Sequence, residues 1–206
     1  MTDDFPVHEE VNVHDGENIY RESDWWKAAL MCSIGGQSSD PSLCVYLWHK
    51  ENGDWKRKSK YQAKDAETWA IDRDIIDKLR QGSADVEEGG DGTNLPVSDY
   101  YTVSQSSTVF KTENWWKAIV SVSEKGNYKP KPEEIVVYLW QNDNGGWRRR
   151  QKYTVEDPDR WETEKKVIGD LLKGGEDTAG SQRSNESLDG EAEKLIEEVK
   201  EHVDLE

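Results

Sequence analysis

Apolar and polar residues follow the period of a strand and then the period of a helix along this chain, and this order occurs twice. Each occurrence begins with short apolar or alternating runs that are separated by polar turns, which is the pattern of strands. In the first occurrence, strands are predicted at residues 20–22, 25–33, 43–50 and 55–63.

A helical stripe follows the fourth predicted strand. Asp65 is a suitable N-cap, and its counterpart Asp157 is followed by a proline, which favours the first helical turn. Gly82 and Gly174 are expected to end the two helices. The apolar positions of the stripes are Trp69, Ile75, Ile76 and Leu79, then Trp161, Val167, Ile168 and Leu171.

The tryptophans show that this β-β-β-β-α unit is duplicated. All ten fall into two sets of five with matching spacing, at offsets of 90 or 92 residues: Trp25, Trp26, Trp48, Trp55 and Trp69, then Trp115, Trp116, Trp140, Trp147 and Trp161. The units span 19–82 and 109–174. Domains this small bury a marginal share of their surface, so we predict an α+β fold in which the tandem units pack as an internal pseudo-dimer.

Four segments lie outside the repeats. They are predicted to be an acidic N-terminal arm (1–18), a linker (83–108), a disordered acidic linker (175–190) and a short amphipathic, acidic C-terminal helix (191–206). Three roles for the tail stay open: docking on the domain, competing with nucleic acid for a cationic face, or docking a partner.

The net charge of −16 is distributed unevenly. Residues 19–82 hold 11 basic and 10 acidic residues, and residues 109–174 hold 13 and 11, whereas the rest holds 3 and 22. The repeats are therefore slightly basic. This split is typical of an acidic tail that accompanies a cation-lined binding surface, although acidic tails also serve solubility alone.

Cysteine use and hydropathy indicate the compartment. The chain has two cysteines, its N-terminus has no apolar stretch, and its longest apolar run, 28–34, is too short to span a bilayer. A cytoplasmic protein is predicted, because a reducing compartment is the usual setting for so few cysteines.

The turn between the third and fourth strands decides which side chains share a face. A three-residue loop ending in a left-handed glycine would fit both repeats and pair Trp48 with Lys56 and Tyr46 with Lys58. A two-residue Asn-Gly turn would instead bury lysines beside Val45, which is costly. We therefore predict one face with two aromatic rings and three cations per repeat: Tyr46, Trp48, Lys56, Lys58 and Lys60, then Tyr138, Trp140, Arg148, Arg150 and Lys152. Arg57 and Arg149 would lie at the edge of the apolar face.

Rings interleaved with cations favour single-stranded nucleic acid as the ligand. Any base can stack on an indole or phenol, and lysine or arginine neutralises phosphate. The plainer interpretation is that the tryptophans form the core and the lysines a solvated strand. It is favoured for the four tryptophans at the starts of the second strands and of the helices, Trp25, Trp69, Trp115 and Trp161.

The repeat argues against catalysis. Cys32 and Cys44 align with valines in the second copy, and His49 aligns with Gln141. The histidines and cysteines do not show zinc-ligand spacing, and there is no glycine-rich phosphate loop. We expect a protein that is not an enzyme and has no cofactor and no metal.

The second repeat resembles the positive cofactor four type of transcriptional coactivator and its bacterial and archaeal relatives. The resemblance is carried by residues 135–140, the polar turn to Gly146, residues 148–155, the Asp-Pro-Asp-Arg-Trp sequence at 157–161, and Trp115-Trp116-Lys117. It covers each repeat, hence about two thirds of the chain. Neither repeat has the Lys-Gly step that usually enters the fourth strand of that family.

This resemblance implies a dimer of β-β-β-β-α subunits that binds single-stranded DNA along its strands, made here within one polypeptide. Carried over by position, it adds Lys27 and Lys117 to the candidate ligands. The partners expected are single-stranded DNA or RNA and proteins of transcription or repair. A protein-interaction scaffold that binds no nucleic acid is the alternative.

Overall fold

A computed structural model describes residues 4–35, 40–82, 95–126, 133–155 and 157–178. In these ranges the chain forms eight strands and two helices: β1 (Val11–Arg21), β2 (Trp25–Ile34), β3 (Ser42–Glu51), β4 (Asp54–Ala63), α1 (Ala66–Arg80), β5 (Tyr101–Lys111), β6 (Trp115–Glu124), β7 (Glu134–Asp143), β8 (Gly146–Val155) and α2 (Pro158–Thr178). The repeated β-β-β-β-α order and the α+β class are confirmed.

The strands form two antiparallel sheets with the same simple topology. Their orders are β1-β2-β3-β4 and β5-β6-β7-β8, so every strand pairs with its neighbour in the sequence. Strands β4 and β8, which carry the basic runs, therefore lie at sheet edges.

The first strand of each repeat is longer than predicted. The sequence predicted a strand only at 20–22, but β1 begins at Val11, inside the segment assigned to the N-terminal arm, and β5 begins at Tyr101, inside the assigned linker. Two register shifts interrupt each of these strands, for example between Val13 and Asp15. Each shift reverses the alternation of faces, so the period of two is lost in the sequence.

The predicted helix starts are confirmed. The Asp65 carboxylate accepts hydrogen bonds from the backbone N–H and the hydroxyl of Thr68, at 2.9 and 2.8 Å. Asp157 accepts one from the backbone N–H of Asp159 at 2.8 Å. The bonds from Thr68 and Asp159 N–H satisfy backbone groups that would otherwise lack partners in the first helical turn.

Only one of the two predicted helix stops is correct. Gly82 adopts a φ of 63° just after α1, as a C-terminal glycine should. Gly174, in contrast, lies inside α2, which continues to Thr178. A glycine ends a helix when it takes the left-handed conformation, and Gly174 keeps helical geometry. The predicted C-terminal helix at 191–206 lies outside the described residues, as does most of the acidic linker before it.

The chain divides into two compact units that combine elements of both repeats. One unit contains β1–β4 and helix α2 from Glu162 onward. The other contains helix α1 from Trp69 onward and β5–β8. Each sheet therefore belongs to the same unit as the helix of the other repeat.

One face of each sheet meets that helix through a buried ion pair. In the first unit the Lys27 ammonium on β2 donates to both carboxylate oxygens of Glu164 on α2, at 2.8 and 2.9 Å. In the second unit the Lys117 ammonium lies 2.6 Å from a carboxylate oxygen of Asp72 on α1. These two residue pairs occupy equivalent positions in the repeats, so the arrangement is duplicated with the fold.

The opposite face of each sheet is lined by aromatic rings, and we call it the aromatic face. In the first unit its buried cluster is Phe5, Trp26, Ala28, Leu30, Cys32, Cys44, Tyr46 and Trp48. In the second unit it is Trp116, Ala118, Val120, Val122, Val136, Tyr138 and Trp140. The residues of each cluster occupy every second position along a strand, because successive side chains point to opposite faces of the sheet.

A short segment before the first strand covers each aromatic face. Phe5–Val7 and Leu95–Val97 both pack against these clusters. In each, the valine N–H donates to the carbonyl two residues earlier, at 2.8 and 2.7 Å, across a central proline whose fixed φ suits so tight a turn. The Phe-Pro-Val and Leu-Pro-Val sequences lie 90 residues apart, the offset of the first tryptophans. The repeat thus extends further upstream than the tryptophan pattern indicated.

Candidate nucleic-acid interface

The hairpin that joins β3 to β4 uses the two-residue Asn-Gly turn, so the predicted three-residue loop is wrong. Glu51 pairs with Asp54, and the turn residues Asn52 and Gly53 have φ of 53° and 93°. Positive φ at both positions is the signature of the tight hairpin turn that Asn-Gly favours. The second hairpin repeats this geometry at Asn144 and Gly145.

A β-bulge removes the cost that argued against this turn. The register shifts between Leu47 and Trp48, so that Leu47 pairs with Ser59 and Trp48 pairs with Arg57. The extra residue on β4 is Lys58, and the bulge keeps it from facing the apolar side chains of β3. The predicted pairing of Trp48 with Lys56 and of Tyr46 with Lys58 is therefore wrong.

The three predicted lysines of β4 do not share a face. Lys60 pairs with Tyr46 on the aromatic face, and Lys56 pairs with His49 on the other face. Lys58 lies in the bulge and its ammonium contacts the Glu51 carboxylate. That contact lowers the pKa of the half-exposed Glu51 carboxyl.

The second repeat divides its cations in the same way. Lys152 pairs with Tyr138 on the aromatic face, whereas Arg148 pairs with Gln141 on the other. Arg150, in the bulge, donates from Nε to the Gln141 side-chain oxygen at 2.8 Å. In both repeats, therefore, the prediction that the three cations share one face with the two rings is wrong.

The predicted stacking rings are buried. Trp48 and Trp140 are 0% and 1% exposed. The Trp48 ring stacks against Tyr46 at 5.2 Å, and its indole N–H donates to the carbonyl of Pro6 at 2.9 Å. Tyr46 and Tyr138 are buried beside them. The prediction that these rings lie open to bases is wrong, because the sheet face away from the helix also has to exclude water from its apolar surface.

Lys27 and Lys117 are not surface ligands either. Their side chains are 4% and 8% exposed and are held by the carboxylates of Glu164 and Asp72. A buried ammonium needs a partner of opposite charge, and the helix supplies it here. These two lysines position elements of the fold.

The accessible cations of the edge strands form two matching runs. We call these runs the basic edges: Lys56, Arg57, Lys58 and Lys60 on β4, and Arg148, Arg149, Arg150 and Lys152 on β8. In each run the first three residues are exposed and the fourth is half-buried. Half-buried tryptophans begin both strands, at Trp55 and Trp147.

The structure adds Arg57 and Arg149 to the exposed cations, although they were predicted to lie at the edge of the apolar face. Both lie opposite the buried indoles of Trp48 and Trp140. The predicted three-residue loop put them on the wrong face. The alignment of the repeats has an arginine at both positions, and this duplication indicates from the sequence alone that the two residues belong to the candidate site.

Further cations lie over rings at the ends of the first strands. The Arg21 guanidinium lies 3.9 Å from the centre of the Trp26 ring, and the Lys111 ammonium lies 3.5 Å from that of Trp116. These contacts are duplicated at an offset of 90 residues. They hold positive charge beside each aromatic face by cation–π attraction.

Burial changes the titration of the tyrosines on the aromatic faces. Desolvation raises the pKa of Tyr138 from 10.0 to about 12, and it also raises the pKa of Tyr46. The folded state therefore favours the neutral phenol, whereas the unfolded chain ionises from about pH 10.

We expect the free energy of unfolding to fall as pH rises from 10 to 12, and part of this fall should disappear in Tyr138→Phe. Between those values the unfolded state releases a proton that the folded state keeps, which costs about 1.4 kcal/mol of stability per pKa unit. Urea unfolding of the variant and the wild type at a series of alkaline pH values measures the difference. Tyr100→Phe, at a half-exposed tyrosine, is the control, and equal slopes for all three proteins would contradict the assignment.

The cysteines behave as apolar strand residues, as their alignment with valines predicted. Cys32 and Cys44 are buried free thiols in the aromatic cluster. Among the described residues, no group of three or more histidine, cysteine, aspartate or glutamate side chains is arranged to hold a metal ion. Within those ranges, neither helix is long and apolar enough to cross a membrane.

These features define an α+β tandem-repeat protein with two basic edge strands. Comparison of the chain with protein-family models, curated proteins and solved structures finds no match.

Proposed function

We propose that this chain is a non-catalytic protein that binds single-stranded nucleic acid, with a preference for DNA, along its two basic edges. The observation that carries the proposal is the duplication of three consecutive exposed cations on an edge strand, Lys56–Lys58 and Arg148–Arg150. Phosphate contacts of this kind supply most of the affinity in binding that does not depend on sequence.

The bulge explains how three consecutive cations can serve one strand of nucleic acid. In a regular strand, successive side chains point to opposite faces. At the bulge, Arg57 pairs with Trp48 on the aromatic side and Lys56 pairs with His49 on the helix side. Lys58 has no pairing partner on β3, and its ammonium contacts the Glu51 carboxylate. Phosphates that pass along the edge can be neutralised from both sides, and the exposed pair between Lys58 and Glu51 costs little to break.

Base stacking in this proposal relies on rings other than those first predicted. Trp55 and Trp147 are half-buried at the start of the edge strands. Trp55 packs edge-on against Trp26 at 5.5 Å, and the Lys50 ammonium lies 5.6 Å from its ring centre. Such a ring is fixed in place yet partly accessible, which suits stacking that tolerates any base.

A scaffold function is favoured by one property of the same strands. Charged side chains on an edge strand also prevent pairing with another sheet, so the basic edges alone are compatible with a protein that binds no nucleic acid. The two functions differ in whether the chain binds an oligonucleotide at low salt, and phosphate contacts would make that binding weaken steeply as salt rises.

Titration of the full chain with fluorescently labelled oligothymidylate tests the proposal. We expect the anisotropy to rise on binding at about 50 mM salt, and the affinity to fall steeply by about 200 mM. Oligouridylate and duplex DNA of equal length report the preference for DNA over RNA and for single over double strands. Absence of binding at low salt would leave the scaffold function.

We also propose that the repeats form an internal pseudo-dimer in the cytoplasm. The pairing is supported by the exchange of helices, since each compact unit needs one element of the other repeat. The compartment is supported by two cysteines that lie buried as free thiols.

A further inference from the structure

Trp25 differs from the other tryptophans in its exposure. All ten lie in the described ranges, and Trp25, at 38%, is the one whose side chain is exposed. The sequence had favoured a core position for it. An indole held in water at the start of a strand leaves apolar surface unburied, so a ligand that covers it gains free energy.

The ring belongs to a row of side chains that runs to the first basic edge. Trp25 on β2 pairs with His49 on β3, and His49 pairs with Lys56 on β4. Residues directly opposite each other in a sheet share a face. The centres of the Trp25 and His49 rings are 4.4 Å apart, and the exposed Lys56 ends the row. We call these three residues the Trp25 row.

The charge around the row suits an anionic ligand. The Glu51 carboxylate contacts His49 at 3.4 Å and also the Lys58 ammonium, so it is paired with a cation when no ligand is bound. The corresponding positions in the second repeat are Trp115, Gln141 and Arg148, and Trp115 is 1% exposed. The open ring is therefore a property of the first repeat.

We infer that the Trp25 row binds one nucleotide of the single strand, with the base stacked on Trp25 and the adjacent phosphate on Lys56. This inference rests on the proposed function and makes it more specific. The two basic edges then differ in what they bind on the helix side of their sheets. The first binds a base and a phosphate, whereas the second contacts phosphates alone.

Oligothymidylate titration of the full chain with Trp25→Leu tests the inference. We expect the affinity to fall about 5- to 150-fold, the range for losing one ring that stacks on a base, with the salt dependence unchanged. Lys56→Ala should instead lower the slope of log affinity against log salt by about 0.7. Trp25→Phe keeps a ring and should retain most of the affinity.

A probe without bases separates stacking from charge. A labelled oligomer of abasic nucleotides should bind the wild type and Trp25→Leu equally, because it has nothing to stack. Tyr100→Leu, which removes another exposed ring, should bind oligothymidylate as the wild type does.

The outcomes of this test separate the inference from the proposed function. If the wild type binds neither probe at low salt, the proposed function fails and the inference fails with it. If the wild type binds oligothymidylate and Trp25→Leu binds it equally well, the base site alone is wrong.

Discussion

Replacing Lys27 by methionine should lower the free energy of unfolding by about 3–5 kcal/mol. The Lys27 ammonium holds both carboxylate oxygens of Glu164, and the two side chains are 4% and 2% exposed. Methionine fills a similar volume but cannot donate, so the variant leaves a carboxylate buried without its counter-charge. That desolvated charge, more than the lost contact, accounts for the expected size of the effect.

The double variant Lys27→Met with Glu164→Leu isolates the cause. Removing both charges should restore most of the lost stability, because well-packed apolar residues often replace a buried ion pair without loss. Urea unfolding followed by circular dichroism gives the four free energies of the cycle. Lys56→Met, at an exposed lysine, should change stability by less than about 0.5 kcal/mol. A single variant as stable as the wild type would show that the pair is not buried in solution.

The same experiment on Lys117 and Asp72 should give a matching result, since their side chains are 8% and 0% exposed. Together the two pairs connect residues that are far apart in the sequence, 137 positions in the case of Lys27 and Glu164. Each sheet then depends on the helix of the other repeat for its buried charge. This dependence explains why the lysine is duplicated although it does not face the solvent.

Alanine at the six exposed cations of the basic edges should weaken oligothymidylate binding about 100- to 1000-fold at low salt. Each phosphate contact on single-stranded DNA contributes about 0.7 to the slope of log affinity against log salt, so the loss of six contacts lowers that slope by about 4. The substituted residues are Lys56, Arg57, Lys58, Arg148, Arg149 and Arg150. Anisotropy titrations at several salt concentrations measure both quantities.

A matched control distinguishes the effect of these positions from the effect of lowering the net charge. The three-residue changes on either edge should each lower the slope by about 2. Alanine at three exposed helix lysines, Lys78, Lys166 and Lys173, removes the same charge as either of them and should leave the slope close to that of the wild type. If the helix variant and the edge variants lose affinity equally, binding follows overall charge and the basic edges are not the site.

Elements with a clear local signal could be predicted from the sequence. Strands β2 and β3 show apolar runs bounded by turns, and β4 follows the polar turn at 51–54. Both helices begin at aspartates whose side chains satisfy the first turn. The strand β1 was found only in part, because its bulges disturb the alternation that marks a strand. The upstream segments were missed although Phe5–Val7 and Leu95–Val97 repeat at the tryptophan offset.

The candidate site was predicted less completely, since one residue of register decides it. Burying lysines beside Val45 is costly, and the chain avoids that cost with a bulge at Lys58 in place of a longer turn. A bulge has no clear sequence signal of its own. Its position depends on which side chains the neighbouring strand and the covering elements can accept.

By itself, the sequence determined the duplication, the order of strands and helices, and the basic runs of the two edge strands, because these depend on residues that are near each other in the chain. Only the tertiary structure decided which rings and cations face water. Trp48 is buried because Phe5–Val7 covers it, Lys27 is buried because a helix from the other repeat supplies its carboxylate, and Trp25 stays open. Burial is a property of contacts between distant segments, and a local pattern records which side chains alternate but not what covers them.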